Sequence, residues 1–175
     1  CRRAAPERVH VFDVENHEGT PVYVHAKVCV VDDVWASVGS DNFNRRSWTH
    51  DSELSCAVLD ETVDGRAPAD PAGNGDGARS FARDLRLTLL REHLDADDDT
   101  ELIDPEEVVR RVSATADALR DWHRGGRSGP RPPGRLVPHE TEPLPWYQRL
   151  WAVPAYRLIY DPDGRPWRAR RAGNW

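Results

Sequence analysis

At 175 residues the chain has room for one ordinary domain plus an appendage. Charged residues make up 31% and hydrophobic ones 38%, and no apolar run approaches the roughly 20 residues that span a bilayer. The formal net charge of −6 disfavours a nucleic-acid partner, since duplex binding draws on a basic face.

Taken in chain order, Val9 to Val14 and Pro21 to Val31 are expected strands, separated by the turn-forming Asn16-His17-Glu18-Gly19. Asp32-Asp33 makes a short turn into a third strand, Val34 to Val38. An irregular polar stretch from Gly39 to Ser52 leads to a fourth, Leu54 to Leu59. Asp60 to Gly77 is an expected exposed loop, rich in glycine and acids. Ala78 to Leu94 is an expected helix, with Phe81, Leu85, Leu89 and Leu90 as its apolar stripe. Asp104-Pro105-Glu106-Glu107 starts another: an aspartate cap, a first-turn proline and two acids. It is expected to reach about Trp122 through Val108, Val109, Val112 and Leu119. Gly125 to Pro145 reads as a linker. The tail from Trp146 to Trp175 is aromatic, with an Asp161-Pro162-Asp163-Gly164 turn. Packing of that tail over the catalytic part is the plainer expectation; the alternative is an interfacial membrane contact.

The informative segment is Val24-His25-Ala26-Lys27-Val28-Cys29-Val30-Val31-Asp32, continuing to Gly39-Ser40-Asp41-Asn42. Of 24 basic residues 23 are arginine, and the single lysine is Lys27. Lysine is a compact point charge where arginine is a wide fork, so a tight phosphate pocket can require it. On a strand His25 and Lys27 share one face, while Val24, Ala26, Val28 and Val30 share the other, which is expected to be buried. Ser40 and Asn42 carry a hydroxyl and an amide that can donate to an oxyanion, and Gly39 permits close backbone approach. Glu53 can accept a ring N–H of His25 and orient it. Such a set suits phosphoryl transfer, which needs charge stabilisation, a nucleophile and an acid for the leaving oxygen.

The run His25-x-Lys27-x4-Asp32-x6-Gly39-Ser40-x-Asn42, with Asn44-Arg45-Arg46-Ser47 and Asp51-Ser52-Glu53-Leu54 after it, resembles the signature of the phospholipase D superfamily. Its Gly-Ser-x-Asn ending is more similar to that family's second motif than to its first. The resemblance spans about Val9 to Leu94. It implies a metal-independent, two-step displacement through a phosphohistidine, with no cofactor. His25, Lys27, Asp32 and Glu53 would then be the catalytic group, Asp32 mainly structural, and Lys27, Ser40 and Asn42 would hold phosphate. In two-motif members the nucleophile comes from the first motif, which would make His25 the general acid and base.

The expected fold class is α/β in the mixed α+β sense, a half-domain whose β-sheet carries the motif between helices. The expected divisions are residues 1–95 for the phospholipase D-like half-domain, 96–124 for an acidic loop and helix, and 125–175 for the Gly/Pro-rich linker and the Pro/Trp-rich aromatic extension. The chain starts at Cys1 and contains no methionine, so it is expected to be the carboxyl-terminal part of something longer. Family sites need two such motifs and this chain has one. The expected partners are therefore a phospholipid substrate and an amino-terminal half bearing the first motif, or a second copy of the chain in a symmetric dimer. Within the family, cardiolipin synthase-type transfer and nuclease action are the alternatives, the second disfavoured by charge. A non-catalytic half is the reading from another class. A cytoplasmic or peripheral-membrane setting is expected, with secretion left open.

Other candidates receive plainer readings. Cys29 and Cys56 are expected to be buried thiols in strands. The six remaining histidines, His10, His17, His50, His93, His123 and His139, are assigned to surface or loops, with His50 able to line the cleft. Asp95-x-Asp97-x-Asp99 imitates a calcium loop, but Thr100 stands where that loop has glycine, so the acids are read as lead-in to a helix. No metal ligands are assigned. Arg45-Arg46 either binds phosphate or braces its loop.

Overall fold

A computed structural model describes residues 4–140 and 143–172, which leaves Cys1 and Trp175 outside the described residues. Two compact units are present: one takes in the chain up to His25, Cys29–Ala36 and Ala57–Glu140, the other Ala26–Val28, Ser37–Cys56 and the chain after Glu140. The architecture is mixed α and β, as the sequence predicts.

The first unit holds the hydrophobic core. Strand β1 (Phe12–Val14) pairs antiparallel with β5 (Leu136–Pro138), Phe12 opposite Pro138 and Val14 opposite Leu136. Helix α2 (Ser80–Leu94) supplies Leu87 and Leu94, and α3 (Pro105–Arg124) supplies Val108, Val112 and Ala116, with Leu102 and Leu136 closing the cluster. Each fully buried leucine there is worth about 2 kcal/mol of transfer free energy. The α3 start follows the expected chemistry: the Asp104 carboxylate accepts the Glu106 N–H at 2.9 Å and Pro105 opens the helix.

The motif strands form a three-stranded sheet in the order β2-β3-β4, with β2 Lys27–Val31, β3 Trp35–Gly39 and β4 Ser55–Val58. A two-residue turn joins β2 to β3: the Val34 N–H donates to the Val31 carbonyl at 2.9 Å, and Asp32 and Asp33 have φ of 55° and 56°. Both central residues left-handed is the type I′ geometry that suits hairpin twist, and aspartate tolerates it. Asp32 is exposed, but Asp33 is only 2% exposed and accepts Arg83 Nε at 3.1 Å and Arg86 Nε at 2.6 Å. Arg83, wholly buried in α2, also donates to the carbonyls of Arg66 and Pro68 and pairs with Asp64. The hairpin turn is thus riveted to α2 by charge.

Several expectations are corrected. The second strand is short: Pro21 only bridges Glu15, residues 22–26 lie outside any strand, and Lys27 begins β2. Those five side chains are all exposed, so the alternation there has no sheet to lie on. The expected facing is not kept either: Val24, Ala26 and Val28 are exposed, and Val30 is half-buried like Lys27 and Cys29. The buried side of α2 is Ala82, Arg83, Leu87 and Leu94; Phe81 is 41% exposed. The polar stretch after Gly39 contains a helix, α1 (Arg45–Thr49), and the expected linker contains β5. The loop from Asp60 to Gly77 buries Asp64. Cys56 is exposed. His123 is half-buried on α3: its Nε2 lies 2.8 Å from the carboxylate of buried Glu15, which Arg131 also engages at 2.9 Å.

The second unit carries the tail as α4 (Trp146–Ala155), a π-helical stretch Tyr156–Tyr160 and α5 (Trp167–Ala172). The expected packing of the tail fails for its first two elements, neither of which contains a buried residue. Among the described residues no helix is long and apolar enough to cross a membrane.

Candidate active site

His25 and Lys27 sit where the chain enters β2, the lysine as the first strand residue and half-buried, the histidine two residues ahead and exposed. The His25 ring lies 6.0 Å from that of Tyr23. Asp32 lies in the turn that follows β2, five residues beyond Lys27 in sequence.

Strand β3 ends at Gly39, where a Cβ would fall 2.7 Å from the Cβ of Ser55 and 2.8 Å from Asp41 Oδ1. Only glycine lets β3 and β4 close up there. The next residue pins the two strand ends. The Ser40 N–H donates to the Leu54 carbonyl at 3.0 Å, the Leu54 N–H donates to Ser40 Oγ at 3.0 Å, and Ser40 Oγ donates to Glu53 Oε2 at 2.6 Å. Glu53 is therefore held beside the Gly-Ser turn. Its carboxyl lies below the usual range, first because of the Ser40 hydroxyl, then that of Ser47, with the Lys27 charge acting in the same direction. A hydroxyl has one proton, so Ser40 cannot give it to Glu53 and to a bound anion at once.

Asn42 is exposed, and its backbone carbonyl accepts Trp48 Nε1–H at 2.8 Å. Asn44 caps α1 by accepting the Ser47 N–H at 2.9 Å, which fixes the helix that carries Trp48. Trp48 and Phe43, with ring centroids 5.7 Å apart, line an open cavity with Asn44, Arg45 and Asp161. The two arginines brace: Arg46 forms a two-pronged contact with Asp51 at 2.9 and 3.0 Å, and Arg45 donates to the Asp161 carbonyl at 2.6 Å. Asp161 also accepts the Arg46 N–H at 2.8 Å.

The structure thus brings Ser40 and Glu53 together within the electrostatic reach of Lys27 and places Asn42 two residues past Ser40, while Asp32 stands in the β2–β3 turn. Three contributors escaped the sequence reading. Asp33 is buried where its neighbour is not, Trp48 grips Asn42, and Asp161 ties the tail to α1. The Asp-Pro-Asp-Gly turn marked Asp161 as a turn residue but not its partner. The acids near Asp95 have other work: Asp95 accepts the Gly134 N–H at 2.8 Å, and Asp99 pairs with Arg91. No cluster of three or more possible metal ligands occurs among the described residues.

Comparison with known proteins covers the same residues. The family model described as the PLD-like domain of cardiolipin synthase matches residues 4–67, a span holding His25, Lys27, Asp32, Ser40, Asn42 and Glu53. The chain is 40% identical over 90 residues to "Phospholipase D1" of Schizosaccharomyces pombe, covering 49% of this chain and 6% of that protein. It is 45% identical over 76 residues to "Phospholipase D zeta 1" of Arabidopsis thaliana, covering 42% and 7%. It is 32% identical over 120 residues to "Phospholipase D alpha 2" of Oryza sativa subsp. japonica, covering 66% and 14%. The chain therefore spans a small part of the length of these relatives. No solved structure matches. With the family model and these similarities falling on the region that holds the spaced His25, Lys27, Gly39-Ser40-x-Asn42 and Glu53, the chain belongs to the phospholipase D superfamily.

Proposed function

We propose that this chain is the second-motif half of a phospholipase D-type phosphodiesterase that hydrolyses or exchanges phospholipid head groups. The observation that carries the reading is the Ser40–Glu53 bond at 2.6 Å, which fixes a carboxylate beside the motif's Gly-Ser turn. A carboxylate so held can accept one imidazole N–H and leave the other ring nitrogen to exchange a proton.

In the proposed reaction, a histidine of the partner motif donates its nitrogen lone pair to phosphorus. The bond from phosphorus to the head-group oxygen breaks, and His25, as imidazolium, protonates that oxygen. His25 is then neutral and takes a proton from water or a second alcohol, whose oxygen attacks phosphorus and expels the partner histidine. Lys27 offsets charge on the non-bridging oxygens and the Asn42 amide donates to one of them. Ser40 positions Glu53, and Glu53 orients His25. Asp32 and Asp33 hold the β2–β3 turn, with Asp32 outside the reacting group. The same chemistry serves a phosphatidyl transfer of the cardiolipin synthase kind when the second acceptor is an alcohol.

The test is to mix the 175-residue chain with a separately expressed first-motif half and follow head-group release from phospholipid. Activity is expected only in the mixture, and His25→Asn should reduce it by 10² or more while leaving the thermal melt unchanged. Full turnover by the chain alone, or by a folded His25→Asn protein, would overturn the assignment.

A further inference from the structure

We propose that residues 146–171 form a docking surface for an anionic phospholipid membrane. A soluble helix ordinarily hides one stripe against its protein. Here Trp146, Trp151, Tyr156, Tyr160 and Trp167 are between 53% and 74% exposed, and no residue of α4 or the π-helical stretch is buried. Leu158 and Ile159 stand out as well, at 76% and 70%. Tryptophan and tyrosine are the side chains that settle at the head-group level, with aliphatic neighbours reaching deeper.

Charge identifies the complement. Residues 146–172 carry six arginines and two aspartates in a chain whose net charge is −6, so this segment is a local reversal of sign. Both aspartates are engaged internally: Asp161 with Arg45 and the Arg46 N–H, Asp163 with Arg165 at 2.8 Å. Arg168 and Arg171 both lie over the Trp167 ring, at 5.7 and 5.0 Å from its centroid. An indole carrying two guanidinium groups joins an apolar plate to two phosphate-binding forks. A membrane with acidic lipids answers both features at once, phosphates for the arginines and a hydrocarbon margin for the rings.

The surface is tethered to the motif loop. Besides the Asp161 contacts, the Gly164 N–H donates to Thr49 Oγ1 at 2.8 Å, so the turn after Tyr160 is fastened to α1, whose Trp48 grips Asn42. The docking surface is independent of the phosphodiester chemistry and is tested without turnover.

The experiment mixes the chain with vesicles of phosphatidylcholine, with and without phosphatidylglycerol. It reads co-sedimentation and the shift of tryptophan emission, with circular dichroism to check folding. Partition onto the acidic vesicles is expected, weakening as salt is raised. Arg168→Gln with Arg171→Gln should lower it about 25-fold, at about fivefold per arginine, and leave binding to phosphatidylcholine alone unchanged. Trp151→Ala should lower both by about tenfold. A folded chain that stays in the supernatant with acidic vesicles, or variants that partition like the parent, would overturn the proposal. So would tail variants that change only the oligomeric state in centrifugation, since the tail would then be covered by a protein.

Discussion

Ser40 and Glu53 lie thirteen residues apart in sequence, yet the serine hydroxyl donates to the glutamate carboxylate at 2.6 Å while accepting the N–H of Leu54. One side chain thereby aligns two strand ends and holds the charged group on which the proposed chemistry draws.

Ser40→Ala should raise the Glu53 pKa. The folded carboxyl is depressed below its ordinary value, chiefly by Ser40, so at present it stays charged to lower pH than a free glutamate. Removing the donor moves the titration upward, toward the ordinary carboxyl value. Carboxyl carbon NMR on the chain reads this directly, and Ser40→Thr should restore most of the depression. An unmoved Glu53 would show that Ser47 and Lys27 suffice.

Lys27→Arg should cost the reconstituted enzyme at least about tenfold in turnover with little change in melting. A guanidinium is wider than an ammonium and would displace the phosphate from the attacking nitrogen. Steady-state kinetics on the mixed halves is the measurement, and turnover within about threefold of the parent would make the lone lysine a compositional accident.

Adjacent aspartates should behave oppositely. Asp33→Asn leaves the buried Arg83 and the half-buried Arg86 short of a counter-charge, at a cost of about 3 kcal/mol. Asp32→Asn, exposed and in the same left-handed turn, should change stability by less than about 0.5 kcal/mol. Asparagine tolerates that backbone as aspartate does, so urea unfolding of the pair isolates the charge.

Stability should also fall on the acid side through Asp64. Arg66 holds its carboxyl at about 2, below the ordinary value of 3.8, by a hydrogen bond and by charge. A depressed folded pKa gives stability that is present above about pH 4 and lost as pH falls toward 2. Linkage sets a ceiling of about 2 kcal/mol, and the partial exposure of Arg66 brings it to about 1 kcal/mol. Asp64→Asn should flatten that part of the stability curve in unfolding series between pH 4 and 2.

Local chemistry was legible in the sequence wherever a few adjacent residues decide it. Asp104-Pro105 starts α3, Asp32-Asp33 turns β2 into β3, and the spacing of His25, Lys27, Ser40 and Asn42 names the family. What only the tertiary structure decided lies in contacts between residues far apart. Alternation could not tell that residues 22–26 have no sheet to lie on, nor that Lys27 and Cys29, and not Val28, turn toward cover. Two neighbouring aspartates look alike until Arg83 and Arg86 arrive from α2, fifty residues on, and select Asp33. The linker hid β5 because three residues become a strand only when β1 supplies their hydrogen bonds. The aromatic tail suggests packing over the catalytic part, and its exposure emerges only when each ring is placed, because burial depends on what else the chain brings near and not on the hydrophobicity of a residue.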